Sequence, residues 1–160
     1  MDNGPWLINN VPIFVQRWKS GMVLSKPEIN VAPVWVKIYN VPLEYWNEIR
    51  IAHIANEIGN PILMDKVTAN MCDSHWGKLG FMRVLIEMFA DMDWLKYLDV
   101  VSFDLDSGEE RVSKCRVEYA WVPSRCSKCK LFGHDDRNCS VLIAKASLDN
   151  KSGNGNINGK

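Results

Sequence analysis

Two stretches of the chain alternate apolar and polar positions with the period of two that is typical of a half-buried β-strand. Residues 34–39 are rich in β-branched and aromatic types, and Pro42 ends this stretch. Residues 80–88 form a second and more apolar stretch. One face of each predicted strand should face a helix and be buried. The side chains on these two faces are Val34, Val36, Ile38, Met82, Val84, Ile86 and Met88.

A helical period separates the two strands and predicts one main helix over residues 43–58. Four apolar residues recur at the i, i+3, i+4 and i+7 spacing that places them on one face. They are Ile51, Ile54, Ala55 and Ile58. Gly59 should cap the helix, and Pro61 prevents its continuation. Residues 61–68 then predict another strand.

The second half of the chain predicts a short helix near residues 93–98 and two further strands. The strands cover residues 100–105 and 111–119, and residues 106–109 (Asp-Ser-Gly-Glu) form the turn of a hairpin between them. Residues 1–30 should contain a short strand or hairpin and a connector. The whole order of elements favours an α+β fold, in which an antiparallel sheet carries one main helix on one face.

The sheet face opposite the helix is expected to combine aromatic and charged side chains. It should present Trp35, Lys37, Tyr39, Phe81, Arg83, Leu85 and Glu87. Basic and aromatic groups interleaved on an open sheet form the nucleic-acid platform of RNA-recognition domains. The alternative is that a partner domain or a loop covers Trp35 and Phe81.

The sequence resembles those domains in two short segments, and the resemblance implies an RNA-recognition-like body. Residues 36–42 (Val-Lys-Ile-Tyr-Asn-Val-Pro) are similar to one ribonucleoprotein motif, and residues 80–84 (Gly-Phe-Met-Arg-Val) resemble the other more distantly. Phe81 matches a stacking aromatic residue, whereas Lys37 and Arg83 stand where further aromatic residues are expected. These two cations are therefore candidates for contact with the nucleic-acid backbone.

Composition places the chain among globular proteins. It has 160 residues, of which 47% are apolar and 24% charged, and its formal net charge is +0. No apolar run approaches the roughly 20 residues of a membrane span, and the first residues lack the pattern of a signal peptide. We therefore expect no membrane partner and an intracellular location, with the nucleus and the cytoplasm both open. Zero net charge excludes a protein that coats nucleic acid by bulk charge.

The charges are unevenly distributed along the chain. Residues 83–110 hold eight acidic side chains and two basic ones, whereas residues 111–145 hold eight basic and three acidic ones. The basic segment is suited to meet phosphates, but two solvated faces would produce the same distribution.

Three of the five cysteines cluster with a histidine near the C-terminus. Cys126, Cys129, His134 and Cys139 follow the spacing C-x2-C-x4-H-x4-C. Zn²⁺ takes four such ligands in a tetrahedron, and two cysteines separated by two residues can bind one ion from a single turn. Gly133 provides the backbone freedom for the chain to reverse just before the histidine. We therefore expect one structural zinc ion, whose binding supplies the folding free energy of this short segment.

Four protein ligands leave no open position for a catalytic water, which argues against a zinc hydrolase. A chance cluster of these residue types is the alternative. Cys72 and His75 could form half of a second metal site but lack a further ligand pair, while His53 and Cys115 are isolated. The chain also lacks a phosphate-binding glycine loop and a nucleophile elbow. We therefore expect no enzymatic activity.

The cysteine-rich segment resembles the retroviral-type zinc knuckle, which binds single-stranded nucleic acid. Its ligands match, but three other positions differ: Ser127 replaces an aromatic residue, Lys130 a glycine, and Asp136 an apolar residue. Leu131 and Phe132 are the apolar candidates left for base stacking. The candidates for phosphate contact in this segment are Arg125, Lys128, Lys130 and Arg137.

The chain as a whole resembles the plant domain of unknown function that precedes a knuckle of this spacing in retrotransposon-derived, gag-like proteins. The resemblance covers about residues 4–139. The segments that carry it include 4–6 (Gly-Pro-Trp), 17–18, 34–38, 40–42, 59–61, 83–87, 117–119 and 123–126. Relatives usually carry more sequence before the Gly-Pro-Trp segment, so this chain resembles a fragment. Apolar surface around Trp6, Phe14 and Trp18 would then be exposed.

The resemblance, together with the low-complexity composition of the C-terminal residues, predicts four segments along the chain. They are a remnant of an N-terminal subdomain (1–30), an α+β body domain (31–122), a zinc knuckle (123–141) and a disordered tail (146–160). Loss of a zinc ligand should unfold the knuckle and leave residues 34–119 intact.

The function implied by the resemblance is zinc-dependent, non-enzymatic binding of single-stranded RNA or DNA. The alternative is a protein-interaction or assembly module, in which the chain binds a protein partner or itself. The knuckle would then be a structural clip, and the seven tryptophans would serve an interface. Neither function needs a small-molecule substrate.

Overall fold

The computed structural model describes residues 6–8, 11–13, 18–22, 28–74, 80–104 and 108–139. Its elements are, in chain order, β1 (Trp6–Ile8), β2 (Val11–Ile13), β3 (Val31–Tyr39), α1 (Glu48–Asn56), β4 (Asn60–Met64), α2 (Lys66–Ser74), β5 (Phe81–Phe89), β6 (Tyr97–Phe103) and β7 (Glu110–Tyr119). Strands β3 to β7 form one antiparallel sheet in the order β4-β5-β3-β7-β6, while β1 and β2 pair separately. The predicted α+β class and antiparallel sheet are confirmed, but the structure has two helices of nine residues each instead of one main helix.

The core lies on the sheet face that carries α1. Strand β3 alternates strictly between buried and half-buried residues, as its sequence period predicts. All seven side chains expected to face the helix are at most 1% exposed, and the helix adds Ile51, Ile54 and Ala55. Burial of each large apolar side chain stabilises the fold by about 1.5–3 kcal/mol.

The main helix begins five residues later than predicted. Asn47 has extended backbone angles, and its side chain accepts a hydrogen bond from the Arg50 N–H, which makes it the N-cap. The preceding segment, Leu43–Tyr45, forms a single 3₁₀ turn instead. A capping side chain inside the predicted helix therefore divides it in two.

Gly59 has a packing role rather than the capping role predicted for it. The C-cap is Glu57, and Gly59 does not have a positive φ. A Cβ atom at Gly59 would lie 2.6 Å from the Glu87 carbonyl oxygen and 2.8 Å from a methyl of Ile86. Only a glycine lets the chain pass this close to β5 as it enters β4.

The predicted strand over residues 61–68 is correct only in its first half. Strand β4 ends at Met64, and the side chain of Asp65 accepts a hydrogen bond from the Thr68 N–H at 2.8 Å. This cap starts α2, which places Thr68 and Cys72 in the protein interior. This helix was not predicted from the sequence because its apolar stripe is short.

The helix predicted near residues 93–98 does not form. The ring of Trp94 packs against Tyr119 with centroids 4.6 Å apart, and the Tyr119 hydroxyl donates to the Leu95 carbonyl. The Lys96 carbonyl accepts from the Val117 N–H, so the backbone is already bonded to β7. Tertiary contacts override the local helical preference here.

The predicted pairing of β6 with β7 is present, although residues 106 and 107 of the predicted turn lie outside the described residues. The strand or hairpin predicted near the N-terminus takes the form of the β1–β2 hairpin. Strands β6 and β7 pair over seven residues each, starting with Tyr97 opposite Arg116. Trp18 is 78% exposed, in line with the expected apolar surface near the N-terminus. The expected disordered tail and Phe14 lie outside the described residues, as does the side chain of Trp6. In the part of the chain that the structure describes, no helix is long and apolar enough to cross a membrane.

Candidate metal centre and open sheet face

The four predicted metal ligands come together after β7. The thiol sulfurs of Cys126, Cys129 and Cys139 and a ring nitrogen of His134 all lie within 4.8 Å of one another. Cys126 and Cys139 are buried, and Cys129 and His134 are half-buried. Their mutual distances and donor set are compatible with a single tetrahedral zinc ion, which prefers three or four such sulfur and nitrogen ligands.

Two tight turns bring these ligands together. The Lys130 N–H donates to the Cys126 carbonyl, and the Cys126 N–H donates to the Leu131 carbonyl, both at 3.0 Å. Lys130 has a φ of 56°, in the left-handed region that normally favours glycine. The knuckles that this segment resembles usually have glycine at this position. Gly133, with a φ of 91°, provides the second reversal, as its place before the histidine predicts.

The two unusual knuckle residues Ser127 and Asp136 bond to each other. One carboxylate oxygen of Asp136 accepts from the Ser127 N–H at 2.5 Å, and the other accepts from the Ser127 hydroxyl at 2.7 Å. These bonds lower the pKa of the Asp136 carboxyl. Together they form the Ser127–Asp136 clamp, which ties the first cysteine turn to the last one.

Removing the clamp should weaken metal binding. We expect Ser127→Ala to lower zinc affinity by roughly tenfold, because the charge-assisted hydrogen bond from the hydroxyl is lost while the backbone bond of the clamp survives. Competition with a chromophoric chelator measures this. Ser124→Ala is the matched control, since Ser124 bonds to Gly133 through its backbone carbonyl. Equal affinities for the two variants would show that the clamp does not support the metal centre.

Burial affects the chemistry of the first ligand. It raises the pKa of the Cys126 thiol to about 11. Metal binding must therefore displace a proton that the thiol holds at neutral pH.

The described part of the knuckle, residues 123–139, is docked on the rest of the fold by a hydrophobic anchor and two hydrogen bonds. Phe132 is only 4% exposed and belongs to the same core cluster as β3 and β5. Its N–H donates to the Ile29 carbonyl at 2.7 Å, and the guanidinium of Arg125 donates to the Met92 carbonyl. The candidate metal cluster therefore lies in a segment that contributes a side chain to the body core.

The knuckle residues that we predicted to contact nucleic acid differ in their exposure and in their partners. Lys128, Lys130 and Arg137 are exposed, and Leu131 is half-buried. Arg125 is exposed too, but its guanidinium is bonded to the body. The Phe132 ring has no exposed face on which a base could stack.

Lys37 and Arg83, the two predicted contacts outside the knuckle, lie opposite each other on the sheet face away from α1. We call this surface the open face. Its half-buried or exposed side chains include Trp35, Lys37, Tyr39, Phe81, Arg83, Glu87, Tyr97, Asp99, Val101, Phe103, Val112, Lys114, Arg116 and Glu118. Leu85, which was predicted for the same face, is only 4% exposed. The guanidinium of Arg83 stacks on Trp35 at 4.5 Å, and the Lys37 ammonium lies 5.0 Å from the Phe81 ring centroid.

Strands β6 and β7 extend the open face with residues that the sequence analysis did not select. Arg116 lies between Tyr39 and Tyr97 in the strand register, and its guanidinium stacks on Tyr39 at 4.0 Å. Lys114 lies 5.2 Å from the Tyr97 ring centroid. The spacing of Lys114, Arg116 and Glu118 indicates a common face, but only the strand register shows that this face adjoins Tyr39.

Comparisons of this chain with protein-family models, curated proteins and solved structures found no match.

Proposed function

We propose that the chain is a non-enzymatic module that binds single-stranded RNA or DNA on its open face and holds one structural zinc ion in its knuckle. Four cations on that face, each placed over an aromatic ring, carry the proposal. Aromatic rings and guanidinium planes stack on bases, while the same cations attract phosphates. The strand spacing of about 4.8 Å distributes these groups along a track across the sheet.

The proposed zinc ion has a structural role because all four coordination positions belong to the protein. The clamp occupies two positions that contact bases in the knuckles this segment resembles, and Phe132 serves the core. Exposed Lys128, Lys130 and Arg137 remain suited to add phosphate contacts beside the open face. Nucleic-acid binding would then depend on zinc mainly because zinc stabilises the fold, and less because the knuckle contacts the nucleic acid.

The topology supports the resemblance to RNA-recognition domains. Strand β5 lies between the parallel strands β3 and β4, so the β3-α1-β4 unit is split by a third strand. This split arrangement belongs to the ferredoxin-like family of folds. Helix α2 departs from that pattern, since it lies between β4 and β5 in the chain. A retrotransposon-derived, gag-like origin remains part of the proposal and rests on the sequence resemblance.

A non-enzymatic role agrees with the environments of the described histidines and cysteines. His53 is exposed on α1, and His134 belongs to the metal cluster. Burial raises the pKa of the Cys72 and Cys115 thiols, which lowers their reactivity as nucleophiles.

Charge removal from the open face tests the proposal. We expect Lys37→Gln and Arg83→Gln each to weaken binding of a labelled single strand by roughly threefold to tenfold. Each should also reduce the slope of log affinity against log salt by about 0.7, the value for one phosphate contact on a single strand. Fluorescence anisotropy of the zinc-loaded protein, with RNA and DNA at several salt concentrations, measures both effects.

Lys66→Gln is the matched control, because this exposed lysine starts α2, which packs on the other side of the sheet. The control should bind like the wild type. Equal losses in all three variants would mean that binding follows bulk charge and would contradict a specific role of the open face.

A protein-interaction function is the second candidate, and an apolar area at the β6–β7 end of the open face favours it. Val101, Phe103 and Val112 are between 40% and 65% exposed there. A concentration-dependent mass in analytical ultracentrifugation, lost in Phe103→Ser, would support self-association through this area. A monomer at all concentrations would contradict it.

A further inference from the structure

Glu118 receives three donors at the centre of the open face. Its carboxylate lies 3.1 Å from a guanidinium nitrogen of Arg116 and 3.8 Å from the Lys37 ammonium, and it accepts a hydrogen bond from the Tyr39 hydroxyl at 3.3 Å. The side chains of Lys37, Arg116 and Glu118 are 36–45% exposed, so solvent and a ligand can reach them. An ammonium, a guanidinium and a phenol thus converge on one anion.

The sheet backbone holds these donors in place. Lys37 is directly opposite Glu118 in the register of β3 and β7, and Tyr39 is directly opposite Arg116. The guanidinium of Arg116 also rests on the Tyr39 ring at 4.0 Å. The donors would therefore stay grouped if the carboxylate moved away.

We propose that Lys37, Tyr39 and Arg116 form a binding subsite for a backbone phosphate of single-stranded nucleic acid, which Glu118 occupies in the free protein. The subsite rests on the proposed function and identifies which part of the ligand the centre of the open face binds. A phosphate presents the same kind of anionic oxygens to the same three donors. The Tyr39 ring and the stacked guanidinium lie beside it, where the adjoining base can stack.

Displacement of Glu118 is physically accessible because exposed ion pairs contribute little to stability. The carboxylate is tethered to β7 by a short side chain and can swing into solvent. The phosphate then releases its own counterions as it takes over the donors, which favours the exchange at low salt. Glu118 thus competes with a ligand for the three donors, and it lowers the affinity of the open face for weakly charged ligands.

Removal of the competitor should strengthen binding. We expect Glu118→Gln to bind a labelled single-stranded RNA roughly threefold to tenfold more tightly than the wild type, because one negative charge leaves the site at a few ångströms from the phosphate. Its salt slope should steepen by about 0.7–1.4, as one or two cations become free for phosphate.

Glu87→Gln is the matched control. Glu87 lies on the same face, and its carboxylate accepts from the Asn60 amide at 2.9 Å, with no ion pair to a cation among the residues that the structure describes. This variant removes an equal charge and should change affinity less than twofold. Adding Arg116→Gln to the Glu118→Gln variant should abolish its gain in affinity for RNA.

The outcomes separate the subsite from the proposed function. Wild-type binding together with equal affinities for Glu118→Gln and Glu87→Gln would overturn the subsite and leave the open face as a binding surface. Weaker binding by Glu118→Gln at an unchanged melting temperature would overturn it as well. Absence of binding in all the proteins would overturn both proposals.

Discussion

Removal of zinc is expected to lower the melting temperature of the body as well as the knuckle, by roughly 10–20 °C. The knuckle contributes Phe132 to the body core and bonds to Ile29 and Met92. Without metal, the short segment loses the free energy that folds it, and this anchor is released. The body then loses about 3–5 kcal/mol, the cost of removing a buried phenylalanine, which corresponds to the expected shift.

Circular dichroism of the sheet signal, with and without a chelator, measures this shift. Cys139→Ser should melt like the chelated wild type and should not respond to the chelator. Cys72→Ala is the matched control, since Cys72 is buried outside the metal cluster and its variant must keep the zinc response. An unchanged sheet transition after chelation would make the knuckle an independent appendage, as the sequence alone predicts for residues 34–119.

The second large effect concerns Phe132. We expect Phe132→Ala to lower the free energy of unfolding of the zinc-loaded protein by about 3–5 kcal/mol, because its side chain is buried in the core cluster. Leu131→Ala is the natural comparison, since Leu131 is adjacent and half-buried. That change should cost less than about 1.5 kcal/mol. Chemical denaturation at saturating zinc measures both values.

The same pair of variants separates a core role from a stacking role. If Phe132 stacked on a base, its replacement would weaken RNA binding and leave stability nearly unchanged. The structure predicts the reverse: a large loss of stability, with the affinity of the remaining folded protein close to that of the wild type.

The strands of the sheet were predictable because burial on one side imposes a period of two. Strands β3 and β5 show this most clearly, since every second residue meets the helix face. The short helix α2 and the extended segment around Trp94 were predicted wrongly. The side chain of Asp65 caps the start of α2, and Tyr119 packs against Trp94 in the extended segment. Neither contact produces a periodic pattern of apolar residues in the sequence.

The candidate site was predictable to a similar degree. Metal-ligand spacing identifies the cluster because two local turns bring the four side chains together. Knuckle docking through Phe132 depends on a backbone partner about a hundred residues away, which no local pattern encodes. The role of Arg116 likewise depends on which strand lies beside β3, and the strand order is a property of the folded sheet.

The most direct test of nucleic-acid binding on the open face is to locate the bound strand on the protein. Backbone amide spectra of the zinc-loaded, isotope-labelled chain would be recorded during titration with a single-stranded RNA. We predict that the backbone amides of Lys37, Arg83 and Arg116 show the largest chemical-shift changes, with smaller changes in residues 126–139. Shifts confined to residues 126–139, with the open face unaffected, would contradict this prediction.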